Sequence, residues 1–185
     1  MNSFNIIIAG RPNVGKSTLF NRLIKKRVAI VDNVPGTTRD YRSSKLNIGG
    51  FRCRLFDTAG IDGSCHNHFN KEILFKTRHL LDSADVILFI TDARAGLTGN
   101  DIEFASDLRR YTSEILLLTN KMETKAAEHG FWDFFSLGIE EPIPISASHG
   151  LGIPELLERI EECLKAKNCK FGFSEIKNQK VKKLS

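Results

Sequence analysis

The sequence predicts an α/β domain: a mostly parallel six-stranded sheet with one antiparallel edge strand and helices on both faces. Three observations carry that expectation. Short apolar runs alternate with longer amphipathic stretches along most of the chain. One of those runs, Asp85–Thr91, is apolar almost throughout, as a parallel strand covered on both faces should be. A single Gly49-Gly50 pair separates two adjacent strand-like runs, a two-residue hairpin signal that makes one strand antiparallel.

In order, Phe4–Ala9 is a short apolar run that stops at Gly10, and Lys16–Lys25 follows as a helix with Leu19, Phe20 and Leu23 on one side. Residues 44–48 and 51–57 form the hairpin. Residues 69–82 suit a helix whose apolar face is Ile73, Leu74, Leu80 and Leu81. After the strand at 85–91 come a helix near 98–110, a strand at 114–119 and a helix near 124–136. A strand at 142–146 and a helix at 153–166 complete the pattern, with right-handed crossovers between parallel strands.

A chain of 185 residues holds one domain with a real core and is too short for two. The expected body is 1–166, followed by a basic linker or tail at 167–185. No apolar run approaches the roughly 20 residues of a membrane span. The N-terminus lacks a basic leader, so neither a membrane partner nor a signal peptide is expected, and the predicted location is cytoplasmic. Cys53, Cys65, Cys163 and Cys169 lack zinc-type pairing and read as reduced thiols. The net charge of +5 is unevenly placed: from Lys165 onward seven lysines face one acid, Glu175, so the body is near neutral. Such a tail reads either as a solvated linker or as a contact for RNA phosphates.

The chemistry starts at Gly10-x-x-x-x-Gly15-Lys16-Ser17, a phosphate-binding P-loop with a strand before it and a helix after. Its glycines let the backbone turn its N–H groups on an oxyanion, and the helix adds its positive end. Lys16 supplies a charge for the β- and γ-phosphates, and the Ser17 hydroxyl can ligate Mg²⁺. Val14 and Thr18 complete the candidate phosphate ligands. Asp57-Thr58-Ala59-Gly60 ends a strand, where Asp57 can hold Mg²⁺ through water and the Gly60 N–H can face the γ-phosphate. Asn120-Lys121-Met122-Glu123 follows another strand, and Glu123 can accept both N1–H and N2–H of guanine, a donor pair adenine lacks. Ser146-Ala147 ends the last strand, placed to offer a backbone N–H to guanine O6.

These elements in this order resemble the translation-factor-related GTPases. They are similar above all to the first GTPase domain of the bacterial tandem-GTPase family called Der or EngA. The carrying stretches are residues 10–23, 28–40, 92–98 (Asp-Ala-Arg-Ala-Gly-Leu-Thr) and 137–153, and the resemblance covers about residues 4–165. The first two stretches are shared with Era- and MnmE-like relatives; the last two lean toward Der. The resemblance implies a Mg²⁺-dependent, GTP-hydrolysing switch that acts in large ribosomal subunit assembly. Ribosomal subunit or rRNA would be partners, and a second GTPase domain and a KH-like domain would follow. It makes Thr38 the switch threonine that ligates Mg²⁺ and senses the γ-phosphate, with moving segments at 33–43 and 58–72. It also places Asn13 where related GTPases bind K⁺ against the phosphates; a turn-stabilising asparagine is the other reading.

Two positions depart from the pattern. Ile61 stands where Ras-type GTPases carry a water-orienting glutamine, so intrinsic hydrolysis is expected to be slow. Glu123 stands where the pattern ends in Asp, one methylene longer, so GTP binding is expected to weaken with guanine preference kept. The alternative function is a nucleotide-regulated, rRNA- or ribosome-binding assembly module with negligible hydrolysis. An ATP-using enzyme fits the P-loop but leaves Asn120-Lys121 unexplained.

Overall fold

The structure, a computed structural model, describes residues 3–25, 42–58 and 78–182. Six strands form one sheet: β1 (Phe4–Ala9), β2 (Arg42–Ile48), β3 (Phe51–Asp57), β4 (Val86–Asp92), β5 (Glu114–Asn120) and β6 (Ile143–Pro144). Their spatial order is β2-β3-β1-β4-β5-β6, parallel throughout except for the β2–β3 hairpin, so the predicted class is the observed one. In the edge strand β2 Leu46 and Ile48 are buried on the inner face, while Lys45 faces water and discourages further pairing.

The period of two along each central strand sorts its side chains to two cores. Ile6 and Ile8 of β1 and Val86, Leu88 and Ile90 of β4 face one side. There they meet Leu19, Phe20 and Leu23 of α1 (Lys16–Lys25). Ile7, Ala9, Ile87 and Phe89 face the other side, where they meet Ala105 and Leu108 of α2 (Gly99–Leu108). Leu80 and Leu81, in a helical segment at 78–82, join this second core; the remainder of the helix expected at 69–82 lies outside the described residues. Cys53 is buried in the first core, and that burial pushes its thiol up to about 12. Among the described cysteines, Cys53, Cys163 and Cys169 are free thiols.

Two helices differ from expectation. The helix predicted near 124–136 is an α-helix only over α3 (Lys125–Gly130), capped by Thr124, and then tightens into a 3-10 turn over Phe131–Leu137. Gly130 is a poor helix former, and a period of three lets Phe131, Phe134 and Leu137 share the side that faces the protein. Phe134 and Leu137 are buried there, and Gly138 ends the turn at φ 60°. The last helix, predicted to stop at 166, runs on as α4 (Ile153–Lys182). Its buried stripe of Ile153, Leu156, Ile160 and Leu164 lies within the predicted span. No proline follows Pro154, so backbone hydrogen bonding continues past residue 166.

Phe134→Ala is expected to cost about 3–5 kcal/mol in urea unfolding. Phe135→Ala, one position away but exposed, should change stability by no more than about 0.5 kcal/mol.

Candidate functional site

The parallel strands β1, β3, β4 and β5 all deliver their C-terminal ends to one rim of the sheet. The strand order reverses at β1, which runs between β3 and β4 and so opens a crevice there. The loop that leaves β1 is Gly10–Ser17. It turns through φ 150° at Gly10, 65° at Asn13 and 107° at Gly15, a run of left-handed residues of the kind that brings successive N–H groups to one focus. A side chain on Gly10 would collide with the Ile90 carbonyl, and one on Gly15 with the Asn120 carboxamide. Helix α1 begins at once: Leu19 N–H donates to the Gly15 carbonyl at 2.9 Å, leaving the first-turn N–H groups directed at the loop.

Lys16 is buried and folds back over the loop, where its ammonium donates to the carbonyls of Gly10 (2.7 Å) and Arg11 (2.9 Å). Val14 is fully buried, Ser17 half-buried, and Thr18 and Asn13 exposed. Asp57, at the end of β3 opposite Ile8, is fully buried, and Thr58 beside it donates to the Ile8 carbonyl at 3.0 Å. A hydroxyl at Ser17 and a buried carboxylate at Asp57 are hard oxygen donors, the set that suits Mg²⁺. Thr38 and Gly60 lie outside the described residues.

The base-side motifs converge on the same rim. The buried Asn120 donates through Nδ2 to the Val14 carbonyl at 2.8 Å, and its Oδ1 accepts from the Ala147 N–H at 2.9 Å. Lys121, held at φ 69°, donates to the Asn13 carbonyl at 3.1 Å and pairs with Asp92 at 2.5 Å. It is thus the carbonyl of Asn13 that is engaged. Met122 N–H donates to the Ile145 carbonyl at 3.1 Å, which ties the two base-side loops together. Glu123 lies 4.0 Å from His149 Nδ1, and that ring nitrogen is also 3.0 Å from the hydroxyls of both Ser146 and Ser148.

Several participants were not singled out from the sequence. Asp92 opens the Asp-Ala-Arg-Ala-Gly-Leu-Thr stretch, yet nothing in its spacing announces a partner twenty-nine positions on. Arg11 Nε donates at 3.1 Å to the buried Asp101, which also accepts from the Thr98 backbone N–H (3.1 Å) and hydroxyl (2.6 Å). The Thr98–Asp101 pair is a capping box, a motif the sequence does display. Arg22 holds the Ala147 and Ser148 carbonyls from α1.

Fold and site together define a P-loop nucleotide-binding domain of the GTPase type. Residues 5–121 match the family described as 50S ribosome-binding GTPase, and the chain belongs to that family. It is similar to GTPase Der of Brucella anthropi, 44% identical over 161 residues, which is 87% of this chain and 33% of that protein. GTPase Der of Rhizobium meliloti is also 44% identical, over 88% of this chain and 34% of its own length. The chain thus spans about a third of the length of these relatives. Among solved structures it resembles Era in complex with MgGDPNP and a segment of 16S ribosomal RNA. That match has a TM-score of 0.68 and 28% identity over 86% of this chain and 56% of Era. The G domain of the Thermotoga maritima FeoB transporter shares the fold, with a TM-score of 0.63 and 23% identity over 88% of this chain and 99% of that one.

Asn120→Ala removes both arms of the link between the phosphate loop and Ala147 and leaves a buried N–H and carbonyl without it. Urea unfolding should show a loss of about 2–5 kcal/mol. A loss below about 0.5 kcal/mol would place the loops' registry elsewhere.

Proposed function

We propose that this chain is a Mg²⁺-dependent domain that binds and hydrolyses GTP and switches conformation between the two nucleotide states. In this reading it acts in assembly of the large ribosomal subunit as part of a longer protein. The observation that carries it is the double engagement of Asn120, which an ATP-using P-loop enzyme would leave without a purpose. It fixes the phosphate loop relative to the loops that would meet guanine. The Era structure holds MgGDPNP and rRNA at 28% identity, which supports the nucleotide, the metal and a ribosomal partner for this chain as well.

In this reading the loop amides and Lys16 bind the β- and γ-phosphates, with Val14, Gly15 and Thr18 around them. Ser17 and Thr38, with Asp57 through water, would hold Mg²⁺, which when bound supplies positive charge against the phosphate oxygens. Gly60 senses the γ-phosphate through its N–H. Glu123 accepts from the guanine N1–H and N2–H, the Ala147 N–H meets O6, and Lys121 packs beside the base. Hydrolysis is slow because Ile61 has no polar atom with which to orient water. K⁺ held at Asn13 would add charge where an arginine finger otherwise acts. The segment from residue 167 onward leads toward further domains.

Calorimetric titration should give GTP an affinity well above that of ATP; equal affinities sink the guanine assignment. Glu123→Asp should tighten GTP binding about tenfold, the worth of one restored charged hydrogen bond. Steady-state phosphate release should be slow and faster in K⁺ than in Na⁺. Absence of turnover in both salts would favour a binding module over an enzyme.

A further inference from the structure

The 3-10 turn presents two faces. Its period of three buries Phe134 and Leu137 and sends Trp132 and Phe135 the other way, 70% and 40% exposed. Their rings stack at 5.5 Å with planes 20° apart, and both meet the edge of the half-buried Phe131 at 5.7 Å. Phe131 in turn lines a cavity of about 390 Å³ with Pro142, Pro144, Glu141, Glu155 and Arg159. The aromatic cluster and the cavity are therefore one continuous surface, anchored by a rigid turn. Stacked, exposed Trp and Phe beside a cavity are the make-up of an interaction site.

Two features decide what it takes. Arg159, the cation at the cavity, is held by Glu140 at 2.8 Å and Glu162 at 3.1 Å. Glu141 and Glu155 have no ion pair among the described residues. This face is therefore acidic on a chain whose net charge is +5. The second feature is the edge of β6. Ile145 N–H is spent on the Thr119 carbonyl, so the outward amides of this strand belong to positions 142 and 144. Both are proline, and an added strand would find no donors there. Recognition must run through side chains.

We propose that this face docks a partner protein through a lysine- or arginine-rich segment. One cationic side chain enters the cavity between Glu141 and Glu155, and a neighbouring one lies over the Trp132–Phe135 stack. The acidic cavity and the aromatic face both favour a cation and disfavour a nucleic-acid phosphate.

Trp132 is the sole tryptophan of the chain, so its emission reports on this face alone. Titrating the full chain with an oligo-arginine peptide should shift that emission saturably, more weakly as salt rises, while oligo-glutamate does nothing. The E141Q/E155Q pair should weaken binding about tenfold or more. Removing exposed acids elsewhere, in an E103Q/D107N pair on α2, should leave it unchanged. No saturable shift, or equal losses in both pairs, overturns the proposal. An emission change that follows protein concentration instead of peptide marks a second copy as the occupant and overturns it as well. Should the E141Q/E155Q variant fail to fold, acrylamide quenching of Trp132 in the unaltered chain decides: protection by the peptide supports the proposal, and unchanged quenching overturns it.

Discussion

Asn120 sits at the end of β5, and its carboxamide spans to two loops at once, donating to the Val14 carbonyl and accepting from the Ala147 N–H. Those loops follow β1 and β6, strands that are not neighbours in the sheet, so no ladder hydrogen bond relates them directly. A side chain with a donor on one arm and an acceptor on the other can satisfy both loops. A carboxylate of the same size would set two acceptors against a carbonyl and an amide, and lose one contact. Because the group is buried, each bond replaces one that water can no longer make, and either half left alone would be unfavourable. This one amide is the buried link between the phosphate loop and Ala147, reinforced by Lys121 on the Asn13 carbonyl and Arg22 on the Ala147 carbonyl.

Charged contacts then pin the phosphate loop from two sides. Lys121 reaches the Asn13 carbonyl and Asp92 at the end of β4, while Arg11 reaches Asp101 at the start of α2. Asp101 is a buried carboxylate, and it is tolerable because Arg11, the Thr98 N–H and the Thr98 hydroxyl all donate to it. The same carboxylate caps α2, so the loop is tied to a helix end and not to a mobile side chain. Lys16 closes the remaining side by folding onto the loop's own carbonyls. A loop held in this way has its N–H groups oriented before any anion arrives, and ligand binding need not supply the ordering.

What could be read from the sequence follows from how local the cause is. The strand–helix alternation, the Gly49-Gly50 hairpin and the P-loop are each written in contiguous residues. The hairpin and the P-loop stand where expected, and the described elements alternate as expected, with the last strand shortened from 142–146 to Ile143–Pro144. The helix expected near 124–136 changes pitch after Gly130: its apolar content suits a helix of either pitch, and Gly130 with the run of aromatic residues decides the tighter one. The helix expected at 153–166 runs on to Lys182, because no proline after Pro154 interrupts its backbone hydrogen bonding. At the site, Asn120, Lys121, Ser146 and Ala147 were legible as motifs. Asp92 and Arg22, which contact Lys121 and Ala147, and the Arg11–Asp101 pair were not, because those contacts join residues 29, 125 and 90 positions apart. His149 lay inside a quoted stretch but acquires meaning only beside Glu123.

The two ends of the site are built from different material. The phosphate end is backbone: amides, φ angles and glycines that admit no side chain. A side chain at Gly10 or Gly15 would collide with Ile90 or Asn120. The other end relies on side chains at the rim, where Glu123 is exposed and lies 4.0 Å from the exposed His149 ring. A change of length at such a place moves a carboxylate without disturbing a packed core residue, so the fold tolerates it. The Asn120 link is what keeps the two regimes apart: it fixes the loops' backbones, and leaves Glu123 to adjust beyond them.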